Sequence, residues 1–191
     1  MRKKKGVISF VIAGLVVIFL SSSASAIPTV RLDILDPLIY PGETFEVNVV
    51  ADGVTDIDPF LGPDEVLAFG FDVVYPLSFT YNGATVGPGF FDDSASFPDT
   101  DVAGSAFPGI SGDDILLASL SFTPSLAGSF SLGILSDLSD PNEGLITWLY
   151  PQIEITTSTS VNVVPEPSTL LLMGAGLAGL GLARKRKILV K

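Results

Sequence analysis

Between Ile27 and Val163, apolar and polar side chains alternate with a period of two, the mark of strands that bury one face. Val30, Leu32 and Ile34 make the first apolar stripe; Phe45, Val47 and Val49, interleaved with Glu46 and Asn48, make the second. Leu67, Phe69, Phe71 and Val73 follow, then Phe79 and Tyr81, then Leu116, Ala118, Leu120 and Phe122, then Phe130, Leu132 and Ile134. Ile146 and Trp148 come next, and Ile153, Ile155, Val161 and Val163 close the series. Pro41-Gly42, Asp52-Gly53, Asn82-Gly83 and the run from Asp140 to Gly144 punctuate it with residues that favour turns. No part of this region sustains a 3.6-residue period. The pattern predicts an all-β fold, an antiparallel β-sandwich or jelly roll of eight or nine short strands. Phe69, Phe71, Phe122 and Phe130 are expected in its core. Residues 84–113 are rich in Gly, Pro, Asp and Ser and read as a long loop with room for a short irregular helix or strand, a common place for binding on a sandwich. Its aromatics, Phe90, Phe91, Phe97 and Phe107, are expected to fold back onto the sheets.

The two ends follow other rules. Arg2 to Lys5 form a basic segment, Gly6 to Leu20 an apolar one, and Ser21 to Ala26 a small-residue one. Ala24-Ser25-Ala26 fits the A-x-A pattern read by signal peptidase, so residues 1–26 read as a signal peptide cleaved after Ala26. At the other end Pro165-Glu166-Pro167 precedes an apolar block and the basic cluster Arg184, Lys185, Arg186 and Lys187. The block from Ser168 to Ala183 would be about 24 Å long as a helix, short for a bilayer but extendable by snorkelling of the basic side chains. It reads as a short transmembrane helix with its basic end in the cytoplasm and the rest of the chain outside. The resulting division is a signal peptide at 1–26, a sandwich at 27–155, a Ser/Thr-rich linker at 156–164 and a sorting segment at 165–191.

Charge sharpens this division. Residues 27–163 hold twenty of the 21 acidic residues and, in Arg31, one of the ten basic residues, a formal charge of −19 against −11 for the whole chain. Such a surface repels nucleic acid and anionic lipid and attracts cations or basic partners. The chain contains no Cys and no His, which removes disulfides, thiolate chemistry and the commonest general base and transition-metal ligand.

Few constellations remain for chemistry. Acidic pairs are frequent, and Asp92, Asp93, Asp99 and Asp101 share one loop, as carboxylates for a structural Ca²⁺ would. No other cofactor is implied, and a solubilising acidic face is the plainer reading. Trp148 and Tyr150, after a loop on a late strand, and Tyr75 and Tyr81, which flank a turn, are candidates to stack on a sugar. Aromatics at such places also cap a core. The carboxylate pair of a glycosidase is available anywhere in so acidic a chain and therefore discriminates nothing.

Two resemblances rest on these residues. Val164 to Thr169, the Gly/Ala/Leu-rich span and Arg184 to Lys187 resemble the PEP-CTERM sorting signal. The resemblance implies recognition of Pro165, Glu166 and Pro167 by an exosortase, and residence at the cell envelope, cell surface or extracellular matrix after transient anchoring in the inner membrane. Pro41 to Val47, Val66 to Pro76, Ile115 to Phe122 and Ala127 to Phe130 resemble the cohesin-like, carbohydrate-binding-module type of sandwich, although Val74-Tyr75-Pro76 lacks the Asp expected before the proline. That resemblance implies a non-catalytic module for adhesion or exopolysaccharide association, with exopolysaccharide or a surface protein as partner. A secreted polysaccharide-acting enzyme and a structural envelope spacer are the alternatives.

Overall fold

The computed structural model describes residues 27–36, 38–55, 57–58, 62–166 and 171–178. The signal segment with Ala24 and Ala26, Pro167, and the cluster Arg184 to Lys187 lie outside the described residues.

The strands in chain order are β1 (Thr29–Ile34), β2 (Phe45–Asp52), β3 (Ile57–Asp58), β4 (Gly62–Pro63), β5 (Val66–Val74), β6 (Phe79–Val86), β7 (Phe91–Asp92), β8 (Val102–Ile110), β9 (Ile115–Pro124), β10 (Gly128–Leu135), β11 (Gly144–Thr147) and β12 (Thr157–Val163). Nine of the twelve have four or more residues, in keeping with the predicted eight or nine. A four-stranded sheet runs β1-β2-β9-β6, and a six-stranded sheet runs β12-β10-β5-β8-β7 with β11 paired to β5; β3 and β4 form a small ribbon. Each strand pair in these sheets is antiparallel. The sheets close on one core: Phe45, Val47, Leu120 and Phe122 from the first, and Phe69, Phe71, Leu132, Ile134 and Leu145 from the second. The predicted all-β sandwich is therefore the observed fold. Of the four aromatics expected inside, Phe69, Phe71 and Phe122 are buried, while Phe130 is half-buried against them.

Three local expectations fail for identifiable reasons. The stretch read as a long loop, 84–113, contains β8, which lies between β5 and β7 in the six-stranded sheet. Gly104, Pro108 and Gly109 disguise it, because such residues weaken a strand pattern. Gly104 is required there: a Cβ would lie 2.8 Å from Phe69 Cζ and 3.1 Å from Val86 Cγ1. The stretch read as a linker, 156–164, is mostly β12, paired along its length with β10. Thr and Ser hide its alternation, but Val161 and Val163 are buried. Finally, the late stripe is shifted by one residue. Leu145 and Thr147 point inward, which sends Ile146 and Trp148 to the outside.

Candidate functional site

The outward face of the six-stranded sheet carries an apolar row. In antiparallel sheets, directly paired residues share a face. Phe91 pairs with Ser105, Ser105 with Ala68, and Ala68 with Ile146. The row thus crosses β7, β8, β5 and β11, about 14 Å at the usual strand spacing. The inward neighbours fix its direction: Phe69 and Leu145 belong to the core.

A bulge sets a further aromatic beside the row. Val66 pairs with Ile110 and Ala68 with Ser105, so Leu67 alone faces the four residues 106–109 of β8. Ala106 stays buried while Phe107, at the crest, is 85% exposed. Bulges re-aim side chains in this way. Gly109 lies under Glu65 and Leu67, where an added Cβ would come within 2.6 Å of Glu65 Cβ and 3.0 Å of Leu67 Cδ2. The Phe107–Pro108 peptide is cis.

Trp148 completes the patch from a tight turn. The Thr147 N–H donates to the Tyr150 carbonyl at 2.8 Å, and the Tyr150 N–H donates to Thr147 Oγ1 at 3.0 Å. Buried Asp64 anchors this turn; its Oδ1 accepts the Leu149 and Glu65 N–H groups, both at 3.1 Å. The Trp148 indole N–H donates to Glu65 Oε2 at 3.2 Å, which leaves its ring 55% exposed. Phe91 is 66% exposed. Phe91, Phe107 and Trp148 therefore open to solvent around a floor of Ala68, Ser105 and Ile146.

The aromatics of the former loop divide. Phe90 folds back as expected, edge-on to Phe69 with ring centroids 5.1 Å apart. Phe91 and Phe107 do not. Trp148 and Tyr150, expected on a strand, lie in the turn beyond β11, with Tyr150 half-buried. Tyr75 and Tyr81 pack on each other at 5.7 Å and on Phe122, so they cap the core; burial pushes the Tyr81 hydroxyl up to about 12.

The four loop aspartates are not gathered. Among the described residues no group of three or more acidic side chains is arranged to hold a metal ion. Asp92 Oδ1 accepts the Ser94 N–H at 3.1 Å, and Asp101 Oδ2 accepts the Val73 N–H at 2.9 Å. The backbone N–H of Asp93 donates to the Ala103 carbonyl at 3.0 Å, and Asp99 is exposed. The tension among carboxylates lies elsewhere. Glu143, buried under the 136–143 loop, accepts the Asp137 N–H and, at 3.4 Å, the Thr100 hydroxyl. Burial, with Asp72 and Asp140 nearby, holds its carboxyl above the usual range. Burial likewise raises Asp72, against which Asp101, Asp140 and Asp137 press. Asp52 is the opposite case, held down by its hydrogen bond from Arg31, whose guanidinium also meets Asp33 and Asp114.

At the C-terminal end β12 leads straight into the sorting tripeptide. Val163 forms a parallel bridge with Ile39, and the Val164 N–H donates to the Ile39 carbonyl at 2.8 Å. Pro165 and Glu166, the next residues, are exposed. Residues 163–187 match the family described as the PEP-CTERM protein-sorting motif. The chain carries a PEP-CTERM sorting signal. That signal implies an exported, exosortase-processed protein of the cell envelope or surface. Its match spans Pro165, Glu166 and Pro167 and the basic cluster Arg184 to Lys187. Residues 171–178 are helical; among the described residues no helix is long and apolar enough to cross a membrane.

Solved structures give the fold of the domain ahead of the PEP-CTERM signal. A cohesin module from a family 33 glycoside hydrolase of Clostridium perfringens is 14% identical, covering 73% of this chain and 100% of its own, with a TM-score of 0.51. A non-cellulosomal cohesin from Archaeoglobus fulgidus is 16% identical over 73% of this chain and 92% of its own, with a TM-score of 0.47. The first likeness makes the sandwich cohesin-like in fold. No curated protein matches the chain in sequence.

Proposed function

We propose that this is an exosortase-processed surface or matrix protein whose sandwich associates, without catalysis, with a neutral exopolysaccharide through the outward face of its six-stranded sheet. The observation that carries the reading is the exposure of Phe91, Phe107 and Trp148 around one apolar row. Solvent-facing apolar area of this kind marks a binding surface. Aromatic rings offer flat apolar faces, and Trp148 and Glu65 add polar groups at the rim. The charge of −19 over residues 27–163 disfavours anionic polymers, which selects neutral ones. Pro165, Glu166 and Pro167 serve as the exosortase recognition element; a proline has no N–H to pair in a sheet.

The test is affinity electrophoresis of the exported chain through gels containing the host's exopolysaccharide, with Ca²⁺ and with chelator. Retardation that is lost in Trp148→Ala and Phe107→Ala supports the reading. Free migration of the parent chain in every gel contradicts it and favours a protein partner or a spacer.

A further inference from the structure

The end of the sandwich from which the sorting signal departs differs in character from the opposite end. Hydrogen bonds join its loops into one surface. Val164 donates to Ile39 at 2.8 Å, Gly42 to Pro124 at 2.7 Å, and Ser125 to Ser78 at 2.8 Å. On this pole Leu35, Leu38 and Leu126 are more than half exposed, Leu77 is fully exposed, and Val164 is exposed beside them. They come from three separate loops and the exit strand, so they form no strand stripe and contribute little to the core. The carboxylates nearest them in sequence are Asp36, Glu43 and Glu166, and Asp72 and Asp101 lie at this end of β5, where the Val73 N–H donates to Asp101.

The other pole lies at the far end of β2, whose eight residues span about 27 Å. There the Gly53 N–H donates to Asp113 and Val54 bridges Gly112. Asp52, Asp113 and Asp114 crowd that end, with Arg31 among them. Isolated exposed leucines are ordinary, but five apolar side chains on the one pole that leads into an apolar segment are not.

Chain length then constrains what meets this pole. Seven residue steps separate Val164 from Leu171, where the described helix begins, and they reach at most about 25 Å. Leu171, Leu172, Met173 and Leu177 of that helix are exposed. We infer that, while the chain is still anchored, Leu35, Leu38, Leu77, Leu126 and Val164 rest on the lipid bilayer surface and hold the sandwich upright, acidic pole outward. The leucine pole can enter the interfacial layer, and the end that carries Asp52, Asp113 and Asp114 is kept from anionic headgroups. The inference rests on membrane anchoring by the sorting segment.

The experiment uses the full chain exported in a Gram-negative host without exosortase and recovered in inner-membrane vesicles. The chain has no Cys, so Leu77→Cys, Leu126→Cys and Ser111→Cys each carry one thiol for a fluorescent probe. Spin-labelled phosphatidylcholine is then added as quencher. Quenching several-fold stronger at 77 and 126 than at 111 is expected. Replacing Leu35, Leu38 and Leu126 with Ser should reduce it at 77. Equal, weak quenching at all three positions in membrane-bound protein overturns the inference and leaves the anchor intact. Protein that does not float with the vesicles overturns both.

Discussion

The two outward faces of this sandwich are built from the same kind of ladder and end up chemically opposite. On the four-stranded sheet the outward side chains satisfy one another. Ser119 donates to Asn48 at 3.0 Å, Asn82 donates to Thr123 at 3.0 Å, and the Thr44 and Thr123 hydroxyls meet at 2.9 Å. On the six-stranded sheet the corresponding positions hold Phe91, Ala68 and Ile146, flanked by Phe107 and Trp148. Cross-strand hydroxyl and amide pairs suit a face whose alternative partner is water. Exposed rings gain nothing from water, so the second face stands apart as the one proposed for contact.

Breaking the shared core should abolish the difference altogether. Phe71 is fully buried between the sheets, and Phe71→Ala is expected to lower stability by about 3–5 kcal/mol, read from urea unfolding. A smaller change should strike one face only. Asp64→Ala removes the acceptor that fixes the Trp148 turn and should cost about 1–3 kcal/mol. Polysaccharide retardation should fall with it, while the hydroxyl ladder keeps its amide-exchange protection.

The acidic loop over the six-stranded sheet gives a pH signature. Asp72 and Glu143 hold protons more readily folded than unfolded, so their contribution rises as pH falls from 7 toward the ordinary carboxylate range, about 4. Asp52 and Asp137 have lowered values, so the stability they add is present above that range and is lost below it. The urea midpoint should therefore climb on mild acidification and drop at lower pH. Glu143→Gln should flatten the climb. The smallest effect belongs to the polar face: Ser119→Ala should cost under about 1 kcal/mol and leave retardation unchanged.

Much of this fold was readable because period-two alternation survives wherever apolar residues are large. Phe45 to Val49 and Phe69 to Val73 needed no tertiary information. The face proposed for binding was hidden for the same reason that makes it a face. Its central strand, β8, contains Gly104 and Gly109, placed there by Phe69 on β5 and by Glu65 just before β5, and only packing shows that need. Phe107 and Phe91 read as residues that return to the core, since sequence gives no sign of a bulge opposite Leu67. Trp148 was legible as an aromatic candidate, but its outward direction depends on whether Leu145 or Ile146 enters the core. The sorting tripeptide was fully legible, whereas the strand before it was obscured by four consecutive Thr and Ser residues.

Trp148 is the only tryptophan in the chain, and it sits on the face in question. Its emission during titration with a neutral exopolysaccharide tests the central claim most directly. A saturable blue shift or quenching, weakened by Phe107→Ala and untouched by Ser119→Ala, is the predicted result. Emission that stays that of a water-exposed indole at every polysaccharide concentration would contradict it.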